Sequence, residues 1–213
     1  MKEIFHNVFL DGRALYTKNF VPGKRVYGEK LTEDKREWDP TRSKLGAAIL
    51  NGLRDLEIKN GSIVLYLGAS TGTTVSHVSD IVGKDGFVYG IEFAERVLRN
   101  LLDLAKERKN MAAIKADARK IEEYRWVEEC DVVFCDIADP QETEIAIKNS
   151  KEFLKKGGQL MIAIKSQSID VTMKPKDVYE QEKKKVENAG FRVVQLIDLE
   201  PYEAKHAMIV AIK

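Results

Sequence analysis

At 213 residues, 44% of them hydrophobic, the chain can bury one full-sized core and carry a small appendage. Its 35 Lys and Arg face 34 Asp and Glu, and a formal net charge of +1 excludes long-range steering toward nucleic acid by the molecule as a whole, so RNA affinity has to come from a local patch or a partner. MKEIFHNVFLDG has no signal-peptide pattern, no apolar stretch is long enough for a membrane, and Cys130 and Cys135 lack companions at metal-ligand spacing; we expect an intracellular protein with buried thiols and no metal.

The first 55 residues differ in rhythm from the rest. IFHNVFLDGRALYTKNF reads as strand, Asp11-Gly12 turn, strand, and Pro22-Gly23 marks a further turn before a short strand candidate, VYGEK. The polar stretch LTEDKREWDP leads to a helix over TRSKLGAAILNGL, with Leu45, Ala48, Ile49 and Leu53 at helical spacing. We read residues 1–55 as a small antiparallel β subdomain with a connecting helix, and 56–213 as the main domain.

From Ser62 onward strands and helices alternate. IVLYL (63–67) is a continuous apolar run, as in a strand covered on both faces. A helix follows with Val75, Val78 and Val82 on one face and Gly83 at its end. Then come strand 87–92, an amphipathic helix ERVLRNLLDLAKER, strands 111–116, 131–136 and 157–165, and helices ETEIAIKNSKEFLKK and KDVYEQEKKKVENAG flanking the last of these. FRVVQLIDL and HAMIVAIK close the series as two strands near enough to pair antiparallel. The expected fold is α/β: a Rossmann-like, seven-stranded, mostly parallel sheet with helices on both faces, an arrangement that resembles the class I methyltransferases.

Doubly wound sheets bind ligands beyond the carboxyl ends of their strands. The first such loop runs Gly68, Ala69, Ser70, Thr71, Gly72, Thr73, Thr74, where glycines permit a sharp turn and close ligand approach. Its glycine spacing is not the G-x-G-x-x-G of nicotinamide enzymes. Glu92 ends the second strand, where a carboxylate either accepts bonds from both hydroxyls of a ribose or serves as a first-turn acid. Phe93 is placed to pack on a base. Asp117, beside Ala118, ends the third strand, as a partner for an adenine amino group or as a helix cap. Their occurrence at successive strand ends favours a nucleoside site.

Several long motifs resemble the fibrillarin family: WDPTRSKLGAAIL, VLYLGASTGTTVSHVSDIVG, YGIEFAERVLRNLL, DIADPQ, MIAIKSQSID and LEPYEAKHAMIV. The resemblance covers essentially the whole chain, with Ser70-Thr71 a small departure, and the absence of a Gly/Arg-rich N-terminal extension fits the short archaeal form. It implies S-adenosyl-L-methionine as methyl donor and RNA-guided ribose 2′-O-methylation of rRNA, with pre-tRNA as a further substrate. The implied partners are a C/D box guide RNA with its target RNA, a Nop-domain scaffold protein and a kink-turn-binding protein of the ribosomal type. The implied place is the cytoplasm of an archaeal cell, or the nucleolus of a eukaryotic one.

By the same resemblance Lys44, Asp136, Lys165 and His206 form the catalytic set and Gln141 meets the methionine end of the donor. Asp136 and Lys165 also stand out unaided, as charges at the carboxyl ends of apolar strands, whereas Lys44 read alone is a solvated charge, His206 a surface residue and Gln141 a cap. A ribose hydroxyl is a poor nucleophile that must lose its proton, and a lysine crowded by a second lysine is a reasonable base; we assign that role to Lys165, with Asp136 orienting it and Lys44 and His206 placing the hydroxyl. His77 reads as structural, Trp38 and Trp126 as packing residues, the KKK run at 183–185 as a solvated face, and KSQSIDVTMKPKD as a loop near RNA covering the site. Methylation of a small molecule or protein, a nicotinamide oxidoreductase and a non-catalytic cofactor-binding scaffold remain the alternatives.

Overall fold

The computed structural model describes residues 1–213. Two sheets organise it. The smaller is antiparallel and built from β1 (Lys2–Phe5), β2 (Val8–Asp11), β3 (Ala14–Lys18), β4 (Leu31–Thr32) and β5 (Lys35–Trp38), in the order β1-β2-β3-β5-β4. The Asp11-Gly12 turn joins β2 and β3, with Asp11 opposite Ala14. VYGEK, expected as a strand, is irregular, and the polar stretch after it supplies β4 and β5 instead. The reason lies in buried charge. Glu29 faces inward to meet Arg36 of β5, which is fully buried, so the segment's inward residues are not the hydrophobic ones.

Arg36 belongs to an interior polar network that fastens this sheet to the main body. Its Nε donates to Asp80 Oδ2 at 2.6 Å, its Nη1 to Glu29 at 2.7 Å and its Nη2 to Ser76 Oγ at 2.7 Å. Arg108 Nη1 donates to Asp80 Oδ1 at 2.7 Å, and Thr17 Oγ1 donates to Asp80 Oδ2 at 2.6 Å. Because the Thr17 hydroxyl spends its hydrogen on Asp80, His77 Nδ1, 2.7 Å from Thr17 Oγ1, must be the donor of that pair. His77 Nε2 then accepts from the Tyr27 hydroxyl at 2.7 Å, and the ring stacks on Trp38 with centroids 4.6 Å apart. Burial, with Arg36 and Arg108 nearby, holds His77 well below its usual range, so the ring is neutral. Trp38 thus packs as expected, whereas Trp126 is 65% exposed and touches the edge of Tyr89.

The helix expected over 41–53 is shorter. A 3-10 turn at Pro40–Arg42 stops at Ser43, whose Oγ accepts the Gly46 N–H and starts α1 (Lys44–Leu50). The larger sheet contains β6 (Ile63–Leu67), β7 (Phe87–Glu92), β8 (Met111–Lys115), β9 (Cys130–Cys135), β10 (Leu154–Lys165), β11 (Arg192–Asp198) and β12 (His206–Ile212). Its order is β11-β12-β10-β9-β6-β7-β8, with β12 alone antiparallel to its neighbours. α2 (Thr73–Val82), α3 (Glu95–Glu107), α4 (Glu142–Phe153), the short α5 (Ser166–Ile169) and α6 (Pro175–Asn188) connect the strands. Alternation along β6 sends Val64 and Tyr66 to one core and Leu65 and Leu67 to the other, the sign of a strand covered on both faces. The first core also takes in Val8, Leu15, Trp38 and Leu45, so the small sheet and α1 share packing with α2.

Candidate active site

The carboxyl ends of β6, β7, β9 and β10 meet in one crevice, where the order of the sheet reverses beside β6. Gly68 lies at its centre: its N–H and that of Ala69 both donate to Ile91 O at 3.0 Å, and the Asp136 N–H donates to Leu67 O at 2.9 Å. A Cβ on Gly68 would stand 2.6 Å from Asp136 O, and φ there is +82°, so only glycine lets β6 and β9 end so close together. Gly72, at φ +96°, opens α2 and leaves room for Leu104, whose Cδ2 would lie 2.4 Å from an added Cβ.

Two hollows adjoin at Gly68 and Asp136. One is a slot of about 130 Å³ walled mainly by apolar groups, among them Ile91, Phe93, Ala116, Ala118 and Ile137, with Glu92 and Asp136 as its acids. The Glu92 carboxylate is already oriented, since Oε2 accepts the Ser70 N–H and Oε1 the Ala94 N–H, each at 2.8 Å. Phe93 is 66% exposed at the lip. The other hollow, about 260 Å³, is polar and lined by Lys44, Asp136, Lys165, Tyr66, Arg42 and the loop residues Gly68–Thr71, Thr73 and Thr74. A mainly apolar slot with a buried carboxylate in its wall, adjoining a polar cleft at a glycine that admits no side chain, suits a nucleoside with a charged tail.

Asp136 is the hub of the polar cleft. Its Oδ1 is 2.7 Å from Lys165 Nζ and 3.3 Å from Lys44 Nζ. Lys165 Nζ also donates to Ile137 O at 2.5 Å. Lys44 arrives at the start of α1, held there because Thr74 Oγ1 of α2 donates to the capping Ser43 at 3.0 Å. His206 comes from β12, in register with Lys165 across the antiparallel pair, so both side chains leave the same face of the sheet. The spacing of His206 Nδ1 from Ala204 O, 2.7 Å, assigns the imidazole proton to Nδ1 and leaves Nε2 as an acceptor. Burial first, then the charges of Lys44 and Lys165, depress the His206 pKa. Glu203 lies 4.0 Å from Lys44 and 3.9 Å from His206.

Of the four residues named for catalysis, Lys44, Asp136 and Lys165 line the cleft and His206, opposite Lys165 on β12, adjoins it without lining it; Gly68, Ala69, Thr71, Thr73 and Thr74 line the cleft with them, and Glu92, Phe93 and Ala118 the slot. Gly72 shapes the loop from behind without lining either hollow. Asp117 does not line the slot; Arg119 grips it through Nε and Nη2 at 2.9 and 2.7 Å and holds its carboxyl below the usual range. Gln141 is exposed at the start of α4, makes no side-chain cap, and is outside both hollows. Of the stretch from Lys165 to Asp177, only Lys165 lines the cleft; Lys174 and Lys176 border a separate groove with Tyr179, Asp198 and Glu200. Two lysines of the KKK run are ion-paired, Lys183 with Glu180 and Lys185 with Glu144 and Glu182. Arg42, Tyr66 and Glu203 are cleft or rim residues that sequence reasoning missed; only the position of Arg42, two before Lys44, carried any signal.

The chain matches the family model "Fibrillarin" over residues 1–213. It is 50% identical over 222 residues to a fibrillarin-like rRNA/tRNA 2′-O-methyltransferase of Methanococcus voltae, covering 100% of this chain and 97% of the relative. Its structure is similar to that of Aeropyrum pernix fibrillarin in complex with natively bound S-adenosyl-L-methionine, with a TM-score of 0.86 and 46% identity over 93% of this chain and 89% of the other. It is similar also to a fibrillarin/Nop5p complex, with a TM-score of 0.93 and 40% identity over 100% of both chains.

Proposed function

The chain belongs to the fibrillarin family, and from that we infer that it is an RNA 2′-O-methyltransferase that uses S-adenosyl-L-methionine, as the catalytic subunit of a C/D box ribonucleoprotein. A Nop-type scaffold is its protein partner. We assign the choice of target nucleotide to a guide RNA and assembly to a kink-turn-binding protein, since a net charge of +1 gives the chain no general hold on RNA. The observation that carries the reading is the convergence of Lys44 and Lys165 on Asp136 beside a mainly apolar slot that also holds Glu92.

The bound donor supplies an electrophilic methyl group on a cationic sulfur. Glu92 receives the donor's ribose hydroxyls, and the wall from Ile91 to Ala118 takes the adenine. Asp136 faces the positive end and keeps Lys165 turned into the cleft. The target 2′-oxygen would form its bond to the methyl carbon as the carbon–sulfur bond breaks and its electron pair stays on sulfur, and the hydroxyl proton would pass to Lys165, which must first have released an ammonium proton to solvent to act as the base. Lys44 and the Nε2 acceptor of neutral His206 hold the hydroxyl in line. Much of the acceleration comes from that alignment, because the methyl is already activated.

The test is methyl transfer from tritiated donor by the chain assembled with scaffold, kink-turn protein and guide RNA, on a matched oligonucleotide and on one with a 2′-deoxy target. Incorporation into the matched ribose alone supports the assignment. Equal labelling of both would move the acceptor away from the 2′-oxygen.

A further inference from the structure

Behind Lys165 lies a carboxyl that the chemistry above leaves unused. Glu142, the first residue of α4, is 1% exposed. Its Oε1 accepts the Lys165 backbone N–H at 2.7 Å, at the residue where β10 gives way to α5. Its Oε2 is buried and has no hydrogen-bond partner.

The charged and titratable groups around it come from every packed element. β9 contributes the Cys135 thiol and, just beyond it, Asp136; β10 contributes Lys165; α6 contributes the fully buried Glu182 with Lys185, and α4 itself Glu144. Lys165 is the cation nearest in effect, but it already faces Asp136 at 2.7 Å. Lys185 sits 2.9 Å from both Glu182 and Glu144. An ionised Glu142 would be a fourth acid competing for two cations already engaged. Burial above all, reinforced by Asp136 and Glu182, outweighs the pull of Lys165 and pushes the Glu142 carboxyl up to about 8.

We propose that Glu142 is a positioning residue for Lys165 that works as the neutral acid, its Oε1 fixing the Lys165 backbone while its retained proton keeps a second negative charge away from the Lys165 amine. The proposal rests on the reading of Lys165 as the proton acceptor. A negative charge beside an ammonium makes loss of its proton harder, so ionisation of Glu142 works against the base at the alkaline pH that otherwise favours it. Glutamine reproduces the neutral acid, with an acceptor for the Lys165 N–H and no titration; alanine removes the anchor altogether.

The experiment compares wild type, E142Q and E142A as full chains. Single-turnover methyl transfer in the assembled particle is followed from pH 6.5 to 9, and thermal unfolding of each chain over the same range. The ratio of the E142Q rate to the wild-type rate should climb at least about three-fold between pH 7 and pH 9, the scale on which one nearby charge alters proton affinity. E142A should be slow throughout with donor binding kept. A carboxyl raised on folding stabilises fully below its unfolded value and loses that contribution as pH rises through about 8, so the melting temperature of E142Q should gain on wild type across that window. A gap in melting temperature that stays flat overturns the neutral acid, whether or not the wild type transfers methyl. A widening gap with parallel rate profiles overturns the link to Lys165. A wild type that is inactive in the complete particle sinks the functional reading instead, and the melting gap still decides the protonation of Glu142.

Discussion

Lys44 and Lys165 meet at a single carboxylate oxygen, Asp136 Oδ1, at 3.3 and 2.7 Å. One lysine is carried by the first turn of α1 and the other by the end of β10, so the oxygen joins the segment leaving the small sheet to the centre of the large one. Two cations that would otherwise repel are held within reach of one anion, and the direction in which both point depends on it.

Replacing that anion by its neutral isostere, D136N, should therefore do more than slow the reaction. Two uncompensated ammonium groups would face the donor's own positive charge, while the neutral thioether product would feel no such repulsion. Transfer should fall by about 100-fold or more, and affinity for S-adenosylmethionine should fall more than affinity for S-adenosylhomocysteine. Calorimetric titration with both checks this. Equal losses would mean that Asp136 does not sense the donor's charge.

Glu92 ties the glycine loop to the end of β7 through the Ser70 and Ala94 N–H groups. E92A removes the acceptor of two part-buried N–H groups, a cost of about 0.5–1.5 kcal/mol each. Donor affinity should drop at least about 10-fold with a lower melting temperature. Unchanged donor binding in E92A would remove Glu92 from the site.

Asp80 accepts from two buried arginines and a threonine. D80A would leave Arg108 without an anion and Arg36 with Glu29 alone, so we expect a loss of about 3–5 kcal/mol in urea unfolding. A loss below about 1 kcal/mol would show that the network relaxes without its central anion.

His77 provides a pH signature of that same network. Its folded-state pKa lies well below the ordinary 6.5, so the unfolded chain binds the proton more readily. The contribution of His77 is complete above about pH 6.5 and is lost as pH falls below it. H77Q removes the Trp38 stack and starts less stable, but its melting temperature should decline less steeply than that of wild type between pH 7 and pH 5. Parallel declines would mean that His77 is charged in the fold.

Hydrophobic periodicity made the large sheet legible, because a doubly covered strand such as IVLYL and an amphipathic helix such as 95–107 announce themselves. It failed at β4 and β5, where the inward residue is Arg36 and its stabilisation comes from Asp80 and Glu29, one far away in sequence. The crevice followed from strand ends, and Asp136 and Lys165 with it. Lys44 and His206 were visible only through family resemblance, since one owes its place to a cap shared between α1 and α2 and the other to the register of β12 on β10. Nothing local marks Glu142: a glutamate opening a helix looks like a solvated first-turn acid until β10 and α6 close over it.

β12 lies between β10 and β11, and it is synthesised after every other strand of that sheet. Until residues 206–212 emerge, β10 and β11 have no shared neighbour, and β10 is left with an open edge along the residues that end in Lys165. The same insertion that pairs those edges delivers His206 opposite Lys165. A nascent chain thus acquires its complete set of reactive groups in the step that removes its largest unpaired edge, so half-made molecules lack both the finished cleft and protection from edge-to-edge aggregation.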